Sequence, residues 1–331
     1  MRFKFYLFVT IALLCSQFSY AQTIKLGTLV PSGSPWHDIL KEMGDRWKAA
    51  SGGAVQLKIF AGGVAGDEPD MIRKLRIGQL QAAAVTSVGL GSIDKATEAL
   101  QIPLAFSSYE ELDYVRDRIS GRLENILLQR GFVVLNWGDG GWVYFFVQKP
   151  TNRVADLKTM KLFTWAGDPA AVELWKESGF HPVPLATTDA LPALQTGMIN
   201  AYDTTAIFAL STQWFPFTKY MIDLKWAPLT GATIINKSTW EKIPEQHRPA
   251  LLEAARDAGK KLREQIRGKE KEAIQAMVKR GLQVLPVSPE VENEWRQTAE
   301  KVYPKIRKDL VPTEYFDEVI RLRDEYRKTK S

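Results

Sequence analysis

The stretch that decides the fold reads KLFTW (161–165), AGDPAAVELWKESG (166–179), FHPVPLA (180–186), TTDALPALQTG (187–197) and MINAYD (198–203). It predicts strand, helix, strand, helix, strand, with helix starts at Asp168-Pro169 and near Thr188-Asp189 and helix ends at glycines. Strands that alternate with helices of this length indicate a parallel sheet covered by helices. Ligands bind such sheets at the carboxyl ends of the strands. The side chains expected at those ends are Phe163, Thr164, Trp165, Tyr202 and Asp203.

The first 21 residues predict an export signal. A basic start, Met1 to Lys4, precedes an apolar run, and small residues surround a cleavage point after Ala21. The run is shorter than the roughly 20 apolar residues that cross a membrane, which favours a cleaved signal over a retained anchor. Lipidation at Cys15 is disfavoured because the bulky Leu14 stands where a small residue is expected. We therefore expect the protein in the periplasm.

The bulk composition is typical of a soluble globular protein. Hydrophobic residues make up 45% and charged residues 25% of the chain. Its length of 331 residues is enough for two or three domains. Cys15 is the only cysteine, so the mature protein is expected to be stable from its core, without disulfides. Loss of Arg2 and Lys4 with the signal lowers the formal charge from +6 to +4. This mild charge argues against a nucleic-acid partner.

The sequence before the deciding stretch predicts a second α/β unit. A strand over 24–28, a helix opened by Ser34-Pro35 and a strand over 55–59 lead to the glycine-rich loop FAGGVAGD (60–67). A phosphate cradle is one interpretation, but the loop lacks the GKS or GKT ending and the GxGxxG spacing. The other interpretation is a turn near a sheet switch point, which could still border a pocket. A small-residue strand over 81–86 then ends in a loop at Ser87.

The domain organisation follows from where the chain crosses between units. A helix over 109–129 and a strand over 132–136 precede a predicted turn at Asp139-Gly140-Gly141. The aromatic strand Trp142–Gln148 is expected to enter the second unit, and 232–236 to return from it, after a strand over 222–226. One or two helices are expected over 244–279. The predicted ranges are a signal peptide 1–21, lobe 1 at 22–140 plus 232–290, lobe 2 at 141–231, and C-terminal helices 291–331 that pack across both lobes.

Residue patterns give little support for an enzyme. The three histidines, His37, His181 and His247, form no HExxH motif, and no Cys/His cluster or GxSxG occurs, so neither a metal nor a cofactor is predicted. His37 could contact a ligand near the glycine-rich loop, although a capping or surface role fits it better. Asp168 fits a helix cap, which leaves Asp203 as the strongest polar pocket candidate. No nucleophile–base pair is visible, so an exported enzyme is the minor alternative.

Several segments, taken in order, resemble one family over nearly the whole chain after the signal. They are SPWH (34–37), FAGGVAGDEPDMIRKLRIGQLQ (60–81), IPLAF (102–106), DLKTMKLF (156–163), PVPLATTDALPALQTGMINAYD (182–203) and NKSTWEKIP (236–244). The chain resembles the extracytoplasmic solute-binding proteins of tripartite ATP-independent periplasmic (TRAP) transporters. The resemblance implies a two-lobed α/β periplasmic binding protein. Crossing strands and a long helix link its lobes, a small ligand binds in the cleft between them, and the protein docks on a membrane permease.

The sequence departs from this family where typical members bind organic acids. The family arginine at the end of the strand after the DLKxxKL motif is Phe163 here, and a second family arginine aligns with Val143. The family segment DGxExN becomes Asn200 to Thr204, and a polar or acidic position at the end of the third strand becomes Thr86. Arginine grips a carboxylate through two charge-assisted hydrogen bonds, and removing one partner of such a pair costs about 2–5 kcal/mol. A small dicarboxylate or sialic acid therefore fits this sequence poorly.

Aromatic residues stand near the expected site instead, among them Trp214. They favour an apolar, aromatic or weakly polar ligand, or a cation held by ring faces with Asp203 as counter-charge. The predicted ligand-binding residues are Trp36, His37, Asp67, Thr86, Ser87, Trp142, Phe163, Trp165, Tyr202, Asp203, Phe208 and Trp226. The expected partners are a small-molecule ligand and TRAP permease subunits, with a monomeric receptor. A sensory protein that presents its ligand to a signalling receptor is an alternative on the same fold.

Overall fold

The computed structural model describes residues 21–330. The predicted signal peptide therefore lies outside the described residues, except for Ala21. The strands are β1 Gln22–Thr28, β2 Val55–Phe60, β3 Ala82–Thr86, β4 Phe132–Val147, β5 Lys161–Trp165, β6 His181–Leu185, β7 Ala201–Thr205, β8 Tyr220–Ile222, β9 Ala227–Asn236 and β10 Gln283–Leu285.

Helices cover the sheet. They are α1 Pro35–Ala50, α2 Glu68–Arg76, α3 Ser87–Gly91, α4 Tyr109–Gln129, α5 Val154–Leu157, α6 Pro169–Glu177, α7 Ala190–Thr196, α8 Ala206–Ser211, α9 Lys237–Lys242, α10 Arg248–Val278, α11 Pro289–Lys305 and α12 Thr313–Lys328. Among residues 21–330, no helix has both the length and the apolar character that crossing a membrane requires.

All the strands of residues 21–330 belong to one ten-stranded sheet, whose main order is β2-β1-β3-β9-β4-β7-β5-β6. At one end β1 pairs in parallel with β2 and β3, and at the other β5 pairs in parallel with β6 and β7. The two parallel groups are joined by β4 and β9, which pair antiparallel with each other and with the neighbouring groups. The deciding stretch therefore forms the predicted parallel β5–α6–β6–α7–β7 unit.

Strand β4 is a single element of 16 residues across the middle of the sheet. The predicted turn at Asp139-Gly140-Gly141 is wrong, because β9 pairs with β4 on both sides of these residues. The register shifts between Asp139 and Gly141, and Gly141 has a φ of 109°, which disfavours a side chain. The glycines therefore form a bulge inside the strand rather than a chain reversal.

The predicted helix starts are confirmed at two positions. The side chain of Ser34 accepts a hydrogen bond from the N–H of His37 and caps α1. The side chain of Asp168 accepts one from the N–H of Ala171 and caps α6. Both caps precede a proline, which suits the first helical position because its missing N–H would have had no partner there.

Two local predictions need correction. The loop expected at Ser87 is the short helix α3, because the Thr86 side chain accepts a hydrogen bond from the N–H of Val88 and caps it. The strand expected over 222–226 is β8, which ends at Ile222, where its pairing with β10 and β4 stops. The helical region after Pro244 is mainly one helix, α10, with 31 residues.

Two buried clusters form the core. The larger lies between the sheet and the helices that cover it, and the smaller surrounds Phe145. In the smaller cluster the ring centroid of Phe145 lies 5.0 Å from Trp295 of α11 and 5.3 Å from Trp226. Tyr303 of α11 also donates a hydrogen bond from its hydroxyl to the Pro103 carbonyl at 2.6 Å. The C-terminal helices thus contact both the 22–140 and the 141–231 ranges.

Candidate functional site

A cavity of about 160 Å³ lies where strand ends from both parallel groups meet. Residues at the carboxyl ends of β1 and β3 line it on one side, and residues at the carboxyl ends of β5 and β7 line it on the other. The middle of β4 and β9 closes it between them. Because parallel strands direct their carboxyl ends to one edge, the cavity occupies the position that the strand order predicts for a ligand.

Half of the predicted ligand-binding residues meet at this cavity. Those that line it are Trp36, Thr86, Phe163, Trp165, Asp203 and Phe208, together with Trp214. The ring centroid of Trp214 lies 5.8 Å from Phe163 and 5.5 Å from Phe208, with the rings nearly perpendicular. Trp36 donates from Nε1 to the Asp139 carbonyl at 3.3 Å. The cavity therefore has a fixed aromatic wall on the α8 side.

Trp142 and Tyr202 are instead part of the core. Trp142 is fully buried, with its ring centroid 5.2 Å from that of Tyr109. Its main-chain N–H donates a hydrogen bond to the Glu270 carboxylate at 3.0 Å. The β4 bulge inserts an extra residue just before Trp142 and so changes the face on which its side chain lies. Tyr202 is also fully buried and stacks on Phe146 at 5.0 Å.

Three further predicted residues do not line this cavity. Ser87 is fully buried at the first residue of α3. His37 accepts a hydrogen bond at Nδ1 from the N–H of Gly33 at 3.2 Å, as the capping interpretation expects. Trp226 lines a second cavity of about 210 Å³, where Trp175, Trp295 and other residues surround it.

Asp67, which precedes α2, forms hydrogen bonds to two residues on the other side of the site. Its Oδ2 accepts hydrogen bonds from Trp165 Nε1 at 2.7 Å and from the N–H of Thr187 at 2.9 Å. It also caps α2, because its Oδ1 accepts from the N–H of Glu68 at 2.9 Å. A side chain on Gly63, where φ is 77°, would come within 2.8 Å of Thr188. The glycine-rich loop is therefore a close-contact turn rather than a phosphate cradle.

The charge of the cavity lining is one-sided. Within residues 21–330, no lysine or arginine lines the cavity, whereas the acidic residues Glu68, Asp139 and Asp203 do. The buried Asp139 accepts hydrogen bonds from Arg116 Nη1 at 2.7 Å and Arg267 Nη2 at 2.6 Å. Its charge is therefore compensated from outside the cavity by guanidinium groups on α4 and α10.

The carboxyl group of Glu68 is bound by hydrogen-bond donors of neighbouring residues. Its carboxyl accepts hydrogen bonds from the N–H and the hydroxyl of Thr86 and from the N–H of Gly89, at 2.8 to 2.9 Å. Burial raises the pKa of Glu68 to about 7, because the desolvation of the carboxylate outweighs these hydrogen bonds. Glu68 thus fixes the end of β3 against the start of α2.

The carboxyl group of Asp203 differs from that of Glu68 in its partners. Within the described residues its carboxyl group has no ion pair and no hydrogen bond from another residue, and it borders both cavities. Burial raises the pKa of Asp203 to about 6, with only its own backbone N–H opposing the effect. Asp203 pairs with Phe145, so its side chain lies on the Phe145 face of the sheet, whereas Tyr202 lies on the other face with Phe146.

Several lining residues were not predicted from the sequence. They are mostly polar or small and include Glu68, Asn136, Thr187, Thr230 and Thr233. Asn136 and the threonines of β9 come from the crossing pair, which the sequence indicated only as a connection between units. Glu68 was predictable as a lining residue, because it directly follows Asp67 of the glycine-rich loop. Within residues 21–330 no group of histidine and carboxylate side chains is arranged to hold a metal ion.

Comparison with known proteins agrees with this architecture. Residues 26–309 match the sequence model of the bacterial extracellular solute-binding proteins, family 7. A solute-binding protein of Chromohalobacter salexigens is 26% identical over 242 residues, which cover 70% of this chain and 68% of the relative. The 2,3-diketo-L-gulonate-binding periplasmic protein YiaO of Escherichia coli is 22% identical, covering 80% and 81%.

Solved structures show the same fold at low identity. A TRAP periplasmic solute-binding protein of Ralstonia eutropha, with bound (S)-2-acetolactate, has a TM-score of 0.86 at 22% identity and covers 92% of this chain and 100% of its own. A second, from Chromohalobacter salexigens with bound D-glucuronate, has a TM-score of 0.83 at 22% identity and covers 91% and 99%. The predicted two-lobed α/β fold is confirmed. The chain belongs to family 7 of the bacterial extracellular solute-binding proteins, the extracytoplasmic receptors of TRAP transporters.

Proposed function

We propose that this receptor delivers a hydrophobic, aromatic or otherwise non-dicarboxylate solute to a TRAP-type secondary importer. We also propose that it acts as an exported monomer in the periplasm, with the lobe boundaries that the sequence predicts. Family members are binding proteins that work with membrane permease subunits, and the cavity at the strand ends supplies the binding site.

The observation that carries the ligand class is the lining of the cavity. Phe163, at the position where typical family members keep an arginine, is buried against Trp214, and no lysine or arginine of the described chain lines the cavity. A ligand carboxylate there would lose its hydration without gaining a guanidinium partner in the lining. Similar proteins carry acids such as D-glucuronate in their solved structures, so this chain is proposed to differ from them in ligand class.

A ligand screen by thermal shift tests the proposal. Ligands stabilise the folded state in proportion to the logarithm of their concentration over Kd, so tight binding raises the Tm measurably. We expect benzyl alcohol and similar apolar compounds to raise the Tm, and D-glucuronate and succinate to leave it unchanged. Large stabilisation by the acids with none by apolar compounds would refute the ligand class.

Two variants at one position separate the site from the fold. Phe163→Arg should weaken apolar ligands, since it places a charge in the aromatic wall, whereas Phe163→Leu should retain most of the affinity. Isothermal titration with the best ligand of the screen measures both. Equal affinity in wild type and Phe163→Arg would show that this ring is not in the binding site.

A further inference from the structure

One carboxylate oxygen connects the two parallel groups of strands at the wall of the central cavity. Asp67 stands between β2 and α2 in the group of β1 to β3, whereas Trp165 ends β5 and Thr187 follows β6 in the other group. The Oδ2 of Asp67 accepts hydrogen bonds from Trp165 Nε1 at 2.7 Å and from the main-chain N–H of Thr187 at 2.9 Å. Both donors line the cavity and Asp67 does not, so Asp67 acts on the site through them.

The two oxygens of Asp67 have separate tasks. Oδ1 accepts from the N–H of Glu68 at 2.9 Å and caps α2, a bond that does not depend on the other group of strands. The two bonds of Oδ2 both cross the site, so they exist only while the groups are in contact. Asp67 is 9% exposed, and hydrogen bonds to a buried carboxylate are stronger than those at a wet surface.

A second contact crosses the site in the opposite direction. Lys95, which follows α3, binds Asp168 Oδ1 at 3.1 Å, and Asp168 caps α6 in the other group. Each group thus presents a helix-capping carboxylate to a donor of its neighbour. The Lys95 side chain is 39% exposed and also binds Glu98 at 2.7 Å, so solvent and a second partner weaken its hold on Asp168. The Asp67 contact is therefore the stronger of the two.

The main chains approach each other closely beside these contacts. A Cβ on Gly167, the residue before Asp168, would lie 2.5 Å from Cγ of Pro69 in α2. Any side chain at this position would therefore push the two groups apart. The glycine lets the start of α2 pack directly against the loop that precedes α6, which keeps Asp67 within reach of Trp165.

We infer that Asp67 is a positioning residue that holds the site closed, by binding Trp165 and Thr187 across the central cavity. This inference rests on the proposed function, because closure matters only if a solute binds in the cavity, but it does not depend on the chemical class of the solute. When the groups separate, the carboxylate and the two N–H donors bind water instead of each other, so the contact is reversible. Hydrogen bonds to a charged group favour the closed form by about tenfold or more.

Three variants isolate this contact. Asp67→Ser keeps a good cap for α2 and removes the oxygen that crosses the site. Trp165→Phe removes one of the two donors from the other side and keeps an aromatic ring there. Asp70→Asn is the matched control, because it removes a half-exposed carboxylate of the same helix that is bound only to Arg73.

Double electron–electron resonance measures closure directly. Cys15 is the only cysteine and lies in the predicted signal, so nitroxide labels on Lys48→Cys and Lys176→Cys, exposed residues of α1 and α6, report one distance between the groups. The ligand-free wild type should show a shorter, closed distance and a longer, open one. Asp67→Ser should lower the ratio of closed to open about tenfold and Trp165→Phe about threefold. The double variant should match Asp67→Ser alone, and Asp70→Asn should stay within about twofold of wild type.

The outcomes that contradict the inference are distinct from a failure of the proposed function. Only the longer distance in the ligand-free wild type, or equal ratios in wild type and Asp67→Ser, would overturn the role of Asp67. Multiplied effects in the double variant would show that Asp67 and Trp165 act independently, which also overturns it. Benzyl alcohol should shift the wild type towards the shorter distance. If it neither does so nor raises the Tm, the proposed solute class is wrong, whereas the ligand-free ratios still decide the role of Asp67.

Discussion

The unliganded protein should become more stable when Asp203 loses its charge. Burial raises the pKa of Asp203 from its ordinary value of 3.8 to about 6, so between these pH values the folded state holds a proton that the unfolded state has lost. Stability is therefore present below pH 4, declines as the pH rises towards 6, and stays lower above it. A pKa difference of roughly two pH units corresponds to about 3 kcal/mol at pH 8. Partial solvent access lowers this to about 1–2 kcal/mol.

Asp203→Asn keeps the shape of the side chain and removes the charge. At pH 8 it should raise the free energy of unfolding by about 1–2 kcal/mol, which for a chain of this length is a Tm increase of roughly 2–5 °C. At pH 4 the two proteins should unfold within about 1 °C of each other, because Asp203 is protonated in the wild-type fold. Differential scanning calorimetry of ligand-free protein measures both. An equal or lower Tm for the variant at pH 8 would refute the reasoning.

Three further substitutions test the contacts around the site by urea unfolding. Asp67→Ala removes the acceptor shared by Trp165 and Thr187 together with the α2 cap, and should lower the free energy of unfolding by about 2 kcal/mol. Asp139→Asn leaves two guanidinium groups without their buried partner and should cost about 3 kcal/mol. Gly231→Ala should cost about 1–3 kcal/mol or more, because the added Cβ would lie 2.5 Å from the Val85 carbonyl oxygen, a main-chain atom that cannot rotate away.

Matched substitutions in exposed positions serve as controls for these three. Asp70→Ala and Asp257→Asn each remove one surface ion-pair partner and should change stability by less than about 1 kcal/mol. Gly121→Ala, in an exposed part of α4 with free space around it, should stabilise by about 0.5–1 kcal/mol. Equal losses in a test variant and its control would show that the contact in question does not contribute as described.

The parallel units were predictable because their signals are local. Caps such as Ser34 and Asp168, glycines at helix ends and alternating apolar residues lie within a few positions of the elements they define. The continuity of β4 was not predictable in this way. Asp139-Gly140-Gly141 has the composition of a turn, and only its pairing with β9, about ninety positions later in the chain, keeps it extended as a bulge.

The same distinction between local signals and contacts distant in sequence applies to the residues of the candidate site. Phe163 and Asp203 sit at strand ends in the parallel unit, where the strand order fixes their place, and both line the cavity. Trp142 follows the bulge, so the sequence alone could not show which face it takes. Asn136 was missed because it lies inside the crossing strand, and its contribution depends on a carbonyl group of α10 that is distant in sequence.

The long antiparallel pair of β4 and β9 has a mechanical consequence. Since it joins the two parallel groups by continuous main-chain hydrogen bonds, they are not tethered by slack linkers. Any separation of these groups has to be absorbed by bending the ribbon, whose pairing is interrupted by register shifts between Val134 and Asn136 and between Asp139 and Gly141. Such a ribbon stores elastic energy when it is bent, so the protein should open through a narrow and repeatable angle and recoil towards a single resting shape.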